Sequence, residues 1–536
     1  MESRRVILAV ALSLMVLLTW NYFFPPVAPV ATENRTAAGV NQSAAPQAAG
    51  TAVSAPEAGQ QTVQFTPDRQ GRRISVDTPL YHAVINTSGG ILESFTLKAY
   101  KETIDPLSSN IDLVTEQSLR KAPLGLIWNA SPTWAQGEWT AQGDDLVLAE
   151  GQSGGIQLTG VLGGVRIVRE LSFTGGSYEV KEEVKVTNTS PAQLQGNLAF
   201  SVSSPSLTAE NDRYNLTKIV YMAAGGLEEE DDQKDLKLGL ESAGPVQWGG
   251  VASNYFLMAL APTSADMIVR GKLEDGIYRV TAADQLLLDP GITQLRTCSY
   301  YFGPKTERDL QSMPKNLKAS INYGFFDIIA KPLNKFLNFL YGYVGNYGVA
   351  IIILTIIIKA LFWPLSQKSY KSMEQMKKLQ PMMTKIREKY ADDREKMNAE
   401  IMQLYKTYKV NPAGGCVPML LQIPVFFALY QALLGAIELR HAAFIPHLPF
   451  TDMVWLADLS AKDPYYITPL IMGATMFLQQ RLSPPMGDPM QAKIMMFMPV
   501  VFTFLFLNFP SGLVLYWLVN NVLSIAQQWL MVRKAK

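Results

Sequence analysis

One lysine of this 536-residue chain stands inside a long apolar run. Isoleucine, leucine and aromatic residues surround Lys359 over positions 349–363, a pattern typical of a membrane-spanning helix. A charge at that depth costs about 3 kcal/mol or more, so it indicates a functional site. The other long apolar runs contain no aspartate or glutamate that could pair with the lysine. We therefore expect its partner to arrive from outside the chain.

Polar residues in the same and other apolar runs extend this candidate site. Thr355 lies one helical turn before Lys359 and shares its face. Gln422 interrupts a second apolar run. The last apolar run carries a polar stripe at helical spacing, formed by Asn520, Asn521, Ser524, Gln527 and Gln528. Because polar groups inside a bilayer must face protein or water, these residues are expected to line one wet cavity.

The side chains of this cavity limit its chemistry. They offer a cation, amides and hydroxyls, but no carboxylate, histidine or metal ligand. Acid–base catalysis, nucleophilic catalysis and a proton relay are hard to build from such groups. We predict a site without catalytic residues, metal or cofactor, which transiently binds polar or acidic material entering the bilayer.

A purely structural interpretation of the same residues is also open. Lys359 lies about 10 Å of helix before Ser366, so its amine could extend to the cytoplasmic surface. The amides could simply join neighbouring helices. We favour the cavity because Lys368 and Lys371 already mark the interface, and five polar residues on one helix exceed what packing requires.

Composition divides the chain into apolar ends and a polar middle. Charged residues make up 17% of the sequence, and the net charge of +1 gives no field that would attract DNA. Residues 1–24 contain an apolar run after Arg4 and Arg5, which predicts an uncleaved transmembrane anchor, with a signal peptide as the alternative. Residues 25–61, rich in alanine, proline and threonine, are predicted to form a flexible linker.

The polar middle predicts a β-domain followed by an amphipathic helix. Within residues 62–320, apolar and polar side chains alternate between glycine-rich turns, which indicates an antiparallel β-sandwich. The acidic run 228–232 is interpreted as a solvated loop. Over residues 321–342 the period becomes helical, and polar residues follow one face, which predicts a helix lying in the membrane interface.

Residues 343–536 are predicted to form a core of five membrane-spanning helices, which gives six spans with the N-terminal anchor. We place the five near residues 343–365, 417–437, 465–482, 494–509 and 511–531. Loop 366–416 holds eleven Lys or Arg against six Asp or Glu, whereas loop 438–464 holds two against four. The positive-inside rule then places both termini and loop 366–416 in the cytoplasm, and residues 25–342 outside.

The first cytoplasmic loop is predicted to contain a charged helical hairpin over residues 366–410. Methionine and leucine recur at helical spacing on both sides of the polar turn 391–393. A methionine-rich seam suits a surface that repacks against varied partners. The alternative, that the methionines only hold the two helices together, remains open.

Several ordered segments resemble the YidC/Oxa/Alb family of membrane protein insertases. They are Lys359-Ala-Leu-Phe-Trp-Pro-Leu, Asn411-Pro-Ala-Gly-Gly-Cys-Val-Pro, Leu421-Gln-Ile-Pro-Val-Phe, Asp463-Pro-Tyr-Tyr and Phe509-Pro-Ser-Gly-Leu-Val-Leu-Tyr. The anchor and the β-domain resemble the Gram-negative form of the family, so the resemblance covers essentially the whole chain.

This resemblance implies a five-helix insertase core whose hydrophilic, positively charged groove is open to the cytoplasm and lipid. Lys359 takes the position of the basic residue that attracts acidic parts of a substrate, where many relatives carry arginine. Gln422, Asn520 and Asn521 fall at groove positions. The β-domain would be a periplasmic supersandwich similar to that of sugar mutarotases, and the protein would lie in the bacterial inner membrane.

The implied function is that of an insertase and chaperone for nascent integral membrane proteins, not of an enzyme. The implied partners are those nascent chains, the Sec translocon, the ribosome, components of the signal-recognition pathway and the lipid bilayer, without direct DNA binding. Three alternatives are a transporter or channel, an enzyme that uses the β-domain, and a non-catalytic scaffold of the Sec translocon. The scaffold requires no charge at position 359.

Overall fold

The computed structural model describes residues 71–535 except 88–89, 120, 136–137, 209–211, 213, 265–266, 409, 411–416 and 483–488. The predicted anchor 1–24 and linker 25–61 lie outside the described residues, as does the segment 411–416 of the second family-like motif. All described residues belong to one compact unit that begins at residue 59.

The β-domain contains the strands β1 to β20 of the described chain. They are β1 Arg73–Asp77, β2 Tyr81–Asn86, β3 Ile91–Lys101, β4 Asn110–Asp112, β5 Leu124–Trp128, β6 Ser131–Pro132, β7 Glu138–Gln142, β8 Leu146–Val147, β9 Ser153–Leu162, β10 Val165–Thr174, β11 Glu179–Asn188, β12 Leu194–Ser204, β13 Lys218–Ala223, β14 Gly226–Glu230, β15 Leu240–Glu241, β16 Val246–Ala252, β17 Phe256–Pro262, β18 Ile268–Glu274, β19 Ile277–Leu288 and β20 Thr293–Pro304.

These strands form three sheets, which confirms the predicted β-sandwich. The orders are β4-β3-β2-β1-β8, β14-β13-β16-β17-β20-β11-β10-β9-β7 and β15-β18-β19-β12-β5-β6. The pairings are antiparallel except that of β1 with β8. Along β10, alternate residues from Val165 to Phe173 are buried, as the period-two pattern predicts.

The prediction of a loop for the acidic run 228–232 is wrong over its first half. Residues 228–230 belong to β14, where Ile219 of β13 pairs with Glu230. β14 is an edge strand of the nine-stranded sheet. Like charges along an exposed edge discourage pairing with another chain, so an acidic strand is stable there although its composition resembles that of a loop.

Eleven α-helices are described, three within the β-domain and eight after it. They are α1 Glu116–Leu119, α2 Gln233–Leu238, α3 Glu307–Gln311, α4 Asp327–Val344, α5 Tyr347–Leu361, α6 Trp363–Lys389, α7 Arg394–Thr407, α8 Val417–Gly435, α9 Ile467–Leu482, α10 Pro489–Phe506 and α11 Ser511–Ala535. Between α8 and α9, residues 436–466 form what we call the cover loop. It contains the 3₁₀ turn Ile437–Leu439 and the hairpin of β21 Ile445–His447 and β22 Val454–Leu456.

Helix α4 has the two faces expected of the amphipathic segment. Ile328, Phe339 and Tyr343 are exposed. On its polar side Lys335 Nζ lies 3.0 Å from Glu307 of the β-domain. The helix ends at Gly345, whose φ of 63° supplies the left-handed conformation of a helix terminus.

The first predicted core span, 343–365, is wrong at both ends. α4 extends to Val344, α5 covers only Tyr347–Leu361, and α6 begins at Trp363 after a bend of 62°. Pro364 lies in the first turn of α6, where its missing N–H costs nothing, whereas it could not continue α5 without losing a hydrogen bond.

The described helices of the core are short or interrupted by polar residues. None of them is alone both long and apolar enough to cross a membrane. The bent pair α5 and α6 is long and apolar enough when taken together, and residues 422–435 and 495–506 form shorter apolar helices.

Candidate functional site

The side chain of Lys359 extends from α5 to α11. Its Nζ donates a hydrogen bond to Ser524 Oγ at 2.7 Å, and Ser524 Oγ donates to the Asn520 carbonyl at 2.7 Å. Within the described residues no carboxylate forms an ion pair with this half-buried amine. A snorkelling lysine would direct its amine along the helix to the surface, whereas this amine is directed sideways into the bundle.

Burial on α11 is the reverse of that in a water-soluble helix. The polar residues Asn521, Ser524, Gln527 and Gln528 are all buried, whereas Val522 and Trp529 are exposed. Gln527 Nε2 and Gln528 Oε1 have no hydrogen-bond partner among the described residues. Such unpaired buried groups are costly unless something binds them, so the stripe is suited to receive an additional polar group.

Not all of the other predicted site residues contact the Lys359 amine. Thr355 is buried, but its hydroxyl donates to the Ile351 carbonyl of its own helix at 2.7 Å. Asn521 Nδ2 donates to Thr475 Oγ1 of α9 at 3.5 Å. Gln422 is half-buried on α8. Among the described residues it forms no hydrogen bond with Lys359 or with the polar stripe of α11.

The structure adds polar residues that the sequence interpretation missed. Ser366 and Ser369, in the first turns of α6, are buried. Thr475 of α9 is the partner of Asn521. The two serines were missed because they follow the predicted span and were assigned to the cytoplasmic loop, although their spacing of three residues places them on one helical face.

The cover loop lies across the opposite end of the bundle. Asn346 Nδ2, just before α5, donates to the Phe444 carbonyl at 3.1 Å. At the start of α11, Ser511 N donates to the Ala461 carbonyl at 2.7 Å and Gly512 N to the Leu459 carbonyl at 2.9 Å. The loop is therefore bonded to the first turns of both helices that form the Lys359–Ser524 contact.

The described residues contain no cluster of three or more His, Cys, Asp or Glu side chains able to hold a metal ion. In the β-domain, His82 pairs with Asp77 at 3.2 Å on the surface.

Two family models match adjacent parts of the chain. The family described as "YidC periplasmic domain" matches residues 73–336, and that described as "60Kd inner membrane protein" matches residues 339–536. Together they cover the β-domain, α4 and the helical core.

Curated relatives match over the full length. The membrane protein insertase YidC of Nitratidesulfovibrio vulgaris (strain DP4) is 54% identical, and that of Maridesulfovibrio salexigens 53%, each match covering 100% of both chains. A solved structure titled as an active YidC insertase with its first transmembrane domain resolved is 19% identical and covers 85% of this chain and 92% of its own, with a TM-score of 0.36. The chain belongs to the YidC family of membrane protein insertases, inner-membrane proteins that carry a periplasmic domain.

Proposed function

We propose that this insertase receives its substrates in a groove between α5 and α11, where Lys359 binds an acidic or polar segment of a nascent membrane protein. The observation that carries the proposal is the Lys359 amine, which is directed into the bundle and bonded to the Ser524 hydroxyl. A hydroxyl does not neutralise an ammonium group, so the amine retains the capacity to attract a carboxylate.

The remaining groove groups would support the same segment. The unpaired Gln527 amide donor and Gln528 amide acceptor are complementary to backbone carbonyl and N–H groups. A substrate segment that has not yet formed a helix carries such groups unpaired, and each would cost free energy in hydrocarbon. The groove would therefore shorten the unfavourable part of the path across the bilayer.

The apolar helix of the substrate would move along the exposed apolar side chains of α9 and α11. Leu470, Ile471 and Leu478 are exposed on α9, and Val522 and Trp529 on α11. Partition into lipid then favours release from these helices. The membrane potential adds roughly 2.3 kcal/mol per elementary charge for each 100 mV, so charged outer segments are strongly affected by its sign.

The proposed topology has six spans with both termini in the cytoplasm and residues 25–342 in the periplasm. It assigns residues 1–24 to the anchor, 25–61 to the linker, 62–320 to the periplasmic β-domain, 321–342 to the interfacial helix and 343–536 to the insertase core. The bend after Leu361 supports a first core span that ends there, near the cytoplasmic side, so Lys359 would lie close to the mouth of the groove.

The hairpin of α6 and α7 is proposed as the cytoplasmic receiving surface for the ribosome, the signal-recognition components and the Sec translocon. Met376 and Met383 are buried in its seam, and Tyr405 Oη donates to Met383 Sδ at 3.5 Å. Met382 and Met402 are exposed. Some methionines therefore hold the hairpin together, and others remain available to partners.

The groove is tested by charge substitutions at position 359 in cells depleted of the native insertase. The readout is insertion of a single-spanning substrate with an acidic outer segment. We expect Lys359→Arg to insert the substrate, and Lys359→Ala and Lys359→Glu to reduce insertion at least tenfold. Ser524→Ala should reduce it less, because it removes only the group that positions the amine, and Ser524→Thr should retain activity.

The alternatives predict different results for the same variants. If all three Lys359 variants insert normally, the charge is not the site, and a scaffold or a groove that depends on α11 alone is favoured. A transporter or channel would show solute flux that depends on Lys359 without any substrate protein, which can be measured in proteoliposomes.

A further inference from the structure

Four consecutive residues at the start of the cover loop contact the β-domain, α4 and the core of the helical bundle. Ile437 is 3% exposed and belongs to the apolar core of the β-domain, whereas Leu439 is 1% exposed and belongs to the core of the helical bundle. Between them, Glu438 Oε1 accepts a hydrogen bond from Asn338 Nδ2 of α4 at 3.4 Å. Arg440 Nη2 donates to the Glu102 carbonyl, between β3 and β4, at 3.1 Å. We call Ile437–Arg440 the junction.

A second set of contacts joins the β-domain to the helix ends. The Tyr214 ring stacks on Phe509, which lies just before α11, with 5.0 Å between centroids. Asn254 Nδ2 donates to the Leu434 carbonyl near the end of α8 at 3.4 Å, and it also donates to the Tyr214 carbonyl at 2.9 Å. The two β-domain residues are thus bonded to each other as well as to the bundle, so they act as one surface.

The cover loop is held on its helical side by buried apolar side chains and by hydrogen bonds to the starts of two helices. Leu439 and Leu459 are buried in the core of the bundle, and the carbonyls of Phe444, Asp458, Leu459 and Ala461 accept hydrogen bonds from the starts of α5 and α11. Water can replace the hydrogen bonds at the helix starts, so a loop at the end of a bundle resists local opening best when its other side is fixed as well. The junction fixes this loop on its other side, because Ile437 is anchored in a separate apolar core.

We infer that the β-domain is a brace that holds the cover loop across the ends of α5, α8 and α11 and so keeps the groove closed on the periplasmic side. This inference rests on the proposed function only in placing the groove between α5 and α11. It gives the β-domain a mechanical role in the insertase, through the junction and the Tyr214–Asn254 surface, that requires no ligand or chemistry in the sandwich.

The brace is tested by the accessibility of a residue that the cover loop buries. Leu459→Cys is introduced into the full-length chain with Cys416 replaced by serine, and spheroplasts are treated with a membrane-impermeant maleimide. Cys298 lies in the β-domain core and serves as an internal reporter, because it reacts only if that domain unfolds. With an intact brace, neither cysteine should react appreciably.

Two variants remove the brace in different ways. Tyr214→Ala with Asn254→Ala removes the surface contacts and leaves the β-domain core unchanged, whereas Ile437→Ser with Arg440→Ala breaks the junction. We expect each pair to raise the labelling rate of Leu459→Cys at least tenfold while Cys298 stays unlabelled. Leu238→Ser, at an exposed position of α2 in the β-domain, is the matched control and should change neither rate.

An unchanged Leu459→Cys rate in the Tyr214→Ala, Asn254→Ala pair would overturn the inference. If Cys298 is also labelled in the junction variant, the β-domain of that variant has unfolded. The inference is then tested by the Tyr214→Ala, Asn254→Ala pair alone. Failure of the groove proposal looks different, because Lys359→Ala would then insert normally. With an intact groove and brace, Lys359→Ala should lose insertion without raising the labelling of Leu459→Cys.

Discussion

At the scale of single residues, Lys359 and Lys305 differ in what surrounds their amines. Lys359 meets a hydroxyl beside a stripe of buried amides, whereas Lys305 lies inside the β-domain, where its Nζ donates to the Ser253 carbonyl at 3.1 Å. A buried amine with one neutral partner is poorly solvated in its charged form. For Lys305, burial and the repulsion of Lys218 lower the pKa from 10.5 to about 7.

Lys305→Met is expected to stabilise the β-domain at neutral pH. Between pH 7 and 10.5 the unfolded chain binds this proton and the folded chain does not, so stability of the native protein rises with pH in that window. Below pH 7 the destabilisation by Lys305 is complete. Methionine removes it, so the variant should have a higher Tm at pH 7 and a smaller rise in Tm between pH 7 and 9.

The measurement is thermal unfolding of the full-length protein in detergent at pH 7 and at pH 9. The reactivity of Cys298 reports unfolding of the β-domain. Lys305→Arg is the control that retains the charge and should remain destabilised. Equal pH slopes for the native protein and Lys305→Met would contradict the prediction.

At the scale of elements, the helix ends are held by side chains from outside each helix. Asp463 is buried just before α9, and its carboxylate accepts hydrogen bonds from Trp455 Nε1, Tyr465 N, Thr468 N and Thr468 Oγ1 at 2.7 to 3.0 Å. One carboxylate thus satisfies free N–H groups at the start of α9 and joins them to β22 of the cover loop.

Asp463→Ala should cost about 2 kcal/mol of stability, because it leaves several buried donors unpaired. We expect faster hydrogen exchange in the first turn of α9 and in β22, and a lower unfolding midpoint in detergent. Asp463→Asn retains one carbonyl acceptor and should cost less. If exchange in β22 stayed at the native rate in Asp463→Ala, the carboxylate would not be what joins the two elements.

At the scale of the whole molecule, one guanidinium connects the three sheets of the β-domain. Arg169 of β10 pairs with Glu182 of β11, and it also donates to the Gly90 carbonyl before β3 at 2.9 Å and to the Leu124 carbonyl of β5 at 3.2 Å. Tyr300 Oη donates to the second oxygen of Glu182 at 2.9 Å. Both charged side chains are fully buried, so each depends on the other for compensation.

Removing one member of this pair is expected to destabilise the domain strongly. Glu182→Leu leaves a buried, uncompensated guanidinium and should cost about 3–5 kcal/mol. The double variant Arg169→Leu, Glu182→Leu should recover a large part of that loss, because two apolar side chains need no partners. The measurement is the free energy of unfolding of the full-length protein from denaturant titration. Strictly additive effects of the two substitutions would show that the residues do not act as a pair.

The sequence by itself determined the local structure of this protein. The alternating pattern predicted the sandwich, the change of period predicted α4, and the spacing of methionine and leucine predicted the pair α6 and α7. These features depend on which face of a strand or helix each residue occupies, and neighbouring residues are sufficient to define a face. The family-like segments added the insertase assignment, which the full-length relatives confirm.

Only the tertiary structure decided which faces meet. The bond between Lys359 and Ser524 joins residues 165 positions apart, and the junction places neighbouring residues in two different cores. The tertiary structure also decided that an acidic run could form the edge strand β14, and that a single predicted span would divide at Phe362. Each outcome depends on contacts with distant segments, whose free energy local periodicity does not contain.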